Sequence, residues 1–356
     1  MSFGSLEGAN IYFGLLGGAI ASSGALDTLL ANQLTLGRFK HLVSVNNKEY
    51  RNILEADTAV KAVLKGSVVW NGLYILNSAF FFDNTTDGAF IQSFSSGTWS
   101  SGLGASASNL EGTFALPDLN NQKSIVKSNR GATGELSQFS HSTKTFTVLA
   151  ATTYSYYASG SGVFNESFGY IAGGRTDGST SSRNDIRKFT FASQTSAANG
   201  GGNLSEGSTY LHGSQTDTHG FWFSGNEQSS PYSAVNRINK ATDATNSQTN
   251  LVNENYSYGV GKKDSIAYII NGVRFGGNSR VDSYNMVNFT QSQPAASTLF
   301  SGGCAAIENT NGSIRIQRDS SSESYTYTPS TNTFSAAGNA PSSLSLNNSG
   351  VSYGAA

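Results

Sequence analysis

Phe168-Gly169-Tyr170-Ile171-Ala172-Gly173-Gly174 is a short apolar stretch that ends in a glycine pair. A polar run to Asn184 follows it, and then Asp185-Ile186-Arg187-Lys188-Phe189-Thr190-Phe191 alternates apolar and polar residues as a half-buried strand does. The turn Ala192-Ser193-Gln194-Thr195 comes next, then a weak strand, Asn203-Leu204, and Ser208-Thr209-Tyr210-Leu211-His212-Gly213. The pattern then restarts at Gly220-Phe221-Trp222-Phe223-Ser224-Gly225. Two consecutive copies of one β unit therefore stand side by side in the chain.

The opening strand recurs around Phe81, Ile125, Tyr170, Trp222, Tyr268 and Ile314, at steps of 44, 45, 52, 46 and 46 residues. The alternating strand recurs in step with it, as Ala89 to Phe94, Glu135 to Phe139, Asp185 to Phe191, Ala234 to Ile238, Val281 to Met286 and Ser324 to Tyr327. A single copy of four short strands has no second layer to bury its faces against. Copies packed face to face around an axis bury both faces and leave only short edges. The repeat therefore predicts a β-propeller of six four-stranded blades over residues 76–356. A parallel β-helix has shorter coils, and a β-sandwich does not repeat six times in phase. Gly350-Val351-Ser352-Tyr353-Gly354 matches the strand that ends other units, such as Tyr256 to Val260. It is expected to pair beside Ala79 to Phe82 and close the ring.

Residues 1–75 read differently. Leu26, Leu29, Leu30 and Leu34 have helical spacing. Asn46 or Asn47 is suited to cap a helix through Leu54, and Asp57 another through Lys65, with Gly66 as the stop. Such short helices are marginal alone. A mainly helical segment is expected, either folded against the propeller or serving attachment and oligomerisation. The apolar run Ile11 to Ala21 is too short and glycine-broken for a membrane span, and the start lacks the basic region of a secretory signal.

Composition narrows the function classes. The formal net charge is −1 and charged residues make up 13% of the chain, so the basic face that captures nucleic acid or anionic membrane is not expected. Gly at 40 residues against 5 Pro suits many turns between short strands. The single Cys304 and the four histidines leave little for a metal site, and no metal or cofactor is expected. His212 and His219 are placed to line an axial channel or to be structural. The carboxylates Asp177, Asp185, Glu206, Asp217 and Asp264 show no pairing of the kind glycoside hydrolysis needs. Gly173-Gly174-Arg175 is not a phosphate loop, since no helix follows it. No catalytic residue is assigned.

The doublet Gly173-Gly174 after an apolar strand, with echoes at Gly225 and Gly272, resembles the repeat of kelch-type propellers, although the Tyr and Trp pair usual there is missing. The turn Asp83 to Phe90 resembles that of sialidase-like folds but lacks its Thr-Trp ending, and it is read as a plain polar turn. Units of the form Gly-Tyr-Ile-x-Gly-Gly, then Ile-x-Lys-Phe-x-Phe, then Asn-Leu are similar to those of bacteriophage tail-fibre and other virion proteins, and the resemblance covers about 280 residues. Glu55 to Leu64 is similar to helical connectors in such fibres.

That resemblance implies a non-enzymatic virion protein, a tail fibre or tail-associated component. It would be made in the host cytoplasm and form a homo-oligomer. Its N-terminal segment would join other virion proteins, and its propeller would meet a host surface glycan or protein. A capsid decoration or head-fibre protein is the same build in another place, and a polysaccharide-degrading propeller is the enzymatic alternative. Long polar loops at 173–184, 225–233 and 272–280 are expected on one face, with Arg175, Arg183, Tyr232, Arg274, Phe275 and Arg280 as contact residues of the Tyr- and Arg-rich kind. None of these is expected in a strand.

Overall fold

The structure is a computed structural model. It describes residues 44–45, 48–49, 78–83, 88–93, 98–103, 115–118, 123–127, 136–140, 143–149, 156–157, 162–165, 167–176, 182–209, 211–227, 230–251, 259–270, 280–295, 304–308, 312–318, 321–343 and 352–354. The chain divides into two compact units, Met1–Gly72 and Leu73–Ala356.

In the first unit, β1 (Ser44–Val45) pairs antiparallel with β2 (Lys48–Glu49), Val45 opposite Lys48. This corrects the helix expected from Asn46 or Asn47 onward, because Lys48 and Glu49 are in a strand. Asn is favoured in two-residue hairpin connections, since it tolerates positive φ, and that preference competes with its role as a helix cap. No α-helix occurs among the described residues. The helices expected at 25–33 and 57–65, and the apolar run 11–21, lie outside them.

The second unit is an all-β propeller. Its strands form six four-stranded antiparallel sheets. Sheet 1 contains β3 (Ser78–Asp83), β4 (Gly88–Ser93) and β5 (Trp99–Leu103), and sheet 2 is β6 (Ala115–Asp118), β7 (Lys123–Lys127), β8 (Leu136–Ser140) and β9 (Phe146–Val148). Between β10 (Tyr156–Tyr157) and β13 (Arg175–Thr176), which pair separately, sheet 3 begins with β11 (Gly162–Phe164) and β12 (Phe168–Ala172). It continues with β14 (Ile186–Thr190) and β15 (Thr195–Ala198). Sheet 4 is β16 (His212–Gln215), β17 (His219–Glu227), β18 (Ser230–Asn239) and β19 (Thr245–Gln248). Sheet 5 is β20 (Gly259–Lys263), β21 (Ile266–Ile270), β22 (Val281–Asn285) and β23 (Gln291–Ala295). Sheet 6 is β24 (Cys304–Glu308), β25 (Ile314–Arg318), β26 (Ser324–Thr328) and β27 (Thr333–Ala336).

Five sheets are thus built from strands local in sequence. Sheet 1 takes its first strand from the far end of the chain: β28 (Ser352–Gly354) pairs with β3, Ser352 opposite Phe81 and Gly354 opposite Ala79. The first strands meet in a closed cycle, β6 to β11 to β16 to β20 to β24 to β28 and back to β6, so they surround the axis. The apolar strand that opens the sequence repeat is therefore the second strand of its sheet, not the innermost.

Strand periodicity explains the core. On β17, Trp222 is buried against sheet 3 with Tyr170 and Ile186, whereas Phe221 and Phe223 face sheet 5 with Ile269 and Tyr284. On β21, Ala267 and Ile269 face sheet 4, and Tyr268 and Ile270 face sheet 6 with Ile316 and Tyr327. The second strands β12, β17 and β21 are apolar on both sides because their sheets are covered on both faces, so alternation is lost there; β25 is buried on both sides too, but carries Arg315 and Gln317 on one of them. Close packing leaves no room for bulk at some positions. A methyl group added at Gly162 or Gly169 would run into the side chain of Leu116 in sheet 2.

Candidate ligand-binding face

Strand direction puts the ends of all second strands, the starts of all third strands and the links between sheets on one face of the ring. On this face two ribbons rise from adjacent sheets. The first is β10 with β13, where Tyr157 pairs with Arg175 and Tyr156 with Thr176. The second is the outer half of the β17–β18 hairpin, whose strands run past the sheet through the pairs Gly225↔Tyr232, Asn226↔Pro231 and Glu227↔Ser230.

Each ribbon begins at a glycine. Gly173 has φ +70° and Gly225 φ +136°, and the ladder shifts register between Phe223 and Gly225. A Cβ on Gly173 would meet Ser208 and Leu211, and one on Gly225 would meet Ser208, Thr209 and Leu211. The two ribbons therefore flank one link, 208–211, between sheets 3 and 4. That link is fastened from below: Gly174 N–H donates to Ser208 O (2.8 Å), Arg183 N–H to Gly174 O (2.7 Å) and Ser208 N–H to Arg183 O (3.0 Å). Ser205 N–H donates to Asn236 Oδ1 (2.8 Å) and holds the link to sheet 4.

The six residues expected to make contacts divide accordingly. Arg175 lies in β13 and Tyr232 in β18, which corrects the expectation that both stand in loops. Polar composition reads as loop, but strand pairing satisfies backbone groups whatever side chains they carry: β13 pairs with β10, and the outer ends of β17 and β18 pair with each other. Arg183 is in an irregular segment, exposed, with Nε 3.3 Å from Asp185 Oδ1. Arg280 enters β22 with Nε 3.0 Å from Asp282 Oδ2. Arg274 and Phe275 lie outside the described residues. The structure thus brings Arg175, Arg183 and Tyr232 to the ends of sheets 3 and 4, and places Arg280 at the same level of sheet 5. Tyr156 and Tyr157 were not singled out in the sequence, where nothing but two adjacent tyrosines marks them.

Charges at the starts of the third strands come in pairs. Asp185 lies between Arg183 and Arg187 (3.3 and 3.5 Å), and Arg318 Nη1 is 2.6 Å from Glu323 Oε2. The hydrogen bond from Arg318 is the main cause that holds the Glu323 carboxyl below its ordinary range.

Other candidates resolve separately. His212 is buried opposite Phe223, while His219 sits four ladder positions away, opposite Asn239, with Nδ1 2.9 Å from Thr218 Oγ1. Burial first, then Arg237 and Lys240, lower its pKa. Cys304 is buried on β24, 3.4 Å from Ile270 O, in an apolar cluster with Tyr268 and Tyr327. Among the described residues no three His, Cys, Asp or Glu side chains gather as a metal site requires, and no helix is long and apolar enough to cross a membrane.

No family model matches this chain, and no curated protein matches it. Among solved structures the fold is similar to one reported as the structure of YjhT, with a TM-score of 0.55 at 12% identity, covering 65% of this chain and 84% of that one. At that identity the likeness bears on the propeller fold alone.

Proposed function

We propose that this protein is a non-enzymatic structural component of a bacteriophage particle, of the tail-fibre or tail-associated kind, with a kelch-like propeller that binds the host surface and an N-terminal segment that attaches to the virion. The observation that carries the binding half of this reading is the pair of ribbons flanking residues 208–211. They present backbone edges and Tyr- and Arg-containing segments from a rigid ring, as contact surfaces commonly do. The attachment half rests on the resemblance of the repeat units and of Glu55 to Leu64 to virion proteins. The ligand class is a surface glycan or protein.

The test shortens the second ribbon. Replacing residues 226–231 by Asn-Gly keeps a two-residue hairpin turn between Gly225 and Tyr232. The shortened protein should melt as the parent does and lose adsorption to host cells. Full adsorption by a normally folded variant would refute the binding surface. Absence of the protein from purified particles would refute the virion assignment.

A further inference from the structure

The turns between third and fourth strands share one construction. Lys144, Gln194, Asp243, Phe289 and Asn332 each stand four residues past the last residue of a third strand, and each has positive φ, between 53° and 61°. Three of them donate the same backbone bond: Lys144 N–H to Ser140 O, Asp243 N–H to Asn239 O and Phe289 N–H to Asn285 O, at 2.8–2.9 Å. In each of sheets 2 to 6, one residue is thereby presented in the same way at the rim of the ring.

At three successive junctions that residue meets the preceding sheet at one equivalent place, six residues before the preceding sheet's own left-handed residue. Gln194 of sheet 3 donates from Nε2 to Gln138 Oε1 of sheet 2 (3.0 Å). Lys188 Nζ of sheet 3 donates to both carboxylate oxygens of Asp243 of sheet 4 (3.0 and 2.7 Å), and Tyr170 OH of sheet 3 donates to Oδ1 as well (2.8 Å). The ring of Phe289 of sheet 5 lies under the Arg237 guanidinium of sheet 4, 5.2 Å from the centroid. At the fourth junction Asn332 reaches the preceding sheet elsewhere, at Pro294 O (2.9 Å). The position is constant and the chemistry changes: amide with amide, ammonium with carboxylate, guanidinium with aromatic ring.

We infer that these three contacts are a matching code that lets each sheet accept only its own successor. A chain of similar repeats risks docking the wrong neighbours, in one molecule or between two, and mispairing is a characteristic failure of repeat proteins. Discrimination needs mismatched pairs to be poor as well as matched pairs to be good. Asp243 against Gln138 or Arg237 against Gln194 leaves an ionic group without its counter-charge or its ring.

The inference is tested by copying one junction's pair into the next. Gln and Phe already occupy this left-handed position in sheets 3 and 5, so the turn backbone accepts Asp243→Gln. Lys188→Gln and Asp243→Gln should each raise the unfolding equilibrium constant on the order of tenfold, and the double variant should raise it by less than the product of the two. The same cycle with Gln138→Lys and Gln194→Asp, at an exposed pair where the fold is not endangered, should show the same recovery. Code, as distinct from mere stabilisation, has a further signature. The double variant Lys188→Gln/Asp243→Gln carries two identical junctions, so its refolding yield from denaturant should fall below the parent's while its equilibrium stability is largely regained. Multiplicative losses in either cycle, or an unchanged refolding yield, would overturn the inference.

Discussion

At the residue scale, the contact between sheets 3 and 4 is concentrated on the turn that follows β18. Lys240 is buried, and its Nζ donates to Phe164 O across the junction (3.1 Å). Tyr170 OH donates to Asp243 Oδ1 (2.8 Å), and Asn199 Nδ2 donates to Asp243 O (3.1 Å). Burial is the main cause that pushes the Lys240 amine down to about 8, with Asp217 opposing and Lys262 adding to the fall. An amine held below its ordinary value of 10.5 makes the folded state bind fewer protons than the unfolded state between about pH 8 and 10.5. Stability should therefore rise with pH from about 8. Tyrosines work in the opposite sense. Burial raises Tyr284 and Tyr327 to about 12, so above pH 10 the unfolded state loses their protons first and stability falls. Denaturation midpoints of the parent should climb between pH 8 and 10 and then decline, whereas Lys240→Met should show only the decline. A flat parent profile from pH 8 to 10 would mean that the amine is not held neutral. Nothing in Lys240-Ala241-Thr242-Asp243 announces this in the sequence, because the partners Tyr170 and Phe164 lie in another repeat.

At the element scale, the β17–β18 hairpin is the one that departs most from its repeat, with strands of 9 and 10 residues where β21 and β22 have 5 each. Its outer half depends on Gly225. The backbone there lies at φ +136°, which only glycine adopts readily, and a Cβ would collide with Ser208. Gly225→Ala should cost about 1–3 kcal/mol and loosen the ribbon specifically. Hydrogen exchange should quicken at Asn226 and Tyr232 more than at Phe221. Below the ribbon, Trp222→Ala removes the largest fully buried side chain among the described residues and should cost about 3–5 kcal/mol, read as a fall in denaturation midpoint with native far-ultraviolet dichroism.

The two halves of this hairpin also separate what sequence shows from what it hides. The lower half was legible because Phe221-Trp222-Phe223 and the alternation of Ala234 to Ile238 are burial patterns, and burial is what hydrophobic periodicity records. The upper half reads as a polar loop because what holds it is backbone pairing, which leaves no hydrophobic trace. Arg175 in β13 was missed for the same reason. The N-terminal misreading at Asn46-Asn47 has another cause: Asn serves both as helix cap and as turn residue, and short-range sequence does not choose between them.

At the scale of the whole molecule, the ring depends on one small strand. β28 supplies three residues, yet it fills the place that β6, β11, β16, β20 and β24 fill in the other sheets, and it touches both β24 and β6. Its match to the strand that ends each repeat made closure readable, since a missing first strand at one end and a surplus one at the other complement each other. Cutting the chain at 348 leaves β3 with an unpaired edge facing the axis and breaks the cycle between sheets 6 and 2. Strand edges of that kind also recruit other chains. The loss should exceed what three residue pairs contribute, because the packing of both neighbours on β28 goes with them. A fall in melting temperature of more than about 5 °C is expected, given roughly 2–4 °C per kcal/mol for domains of this order. Concentration-dependent association should accompany it. A synthetic peptide of residues 346–356, added to the truncated protein, should pair with β3 by strand addition and restore both melting and the monodisperse state. A scrambled peptide should do neither. If truncation shifts melting by only a degree or two, or if the peptide fails to bind, then the ring does not need this strand to stay shut, and closure must come from the packing of β3, β4 and β5 between sheets 6 and 2.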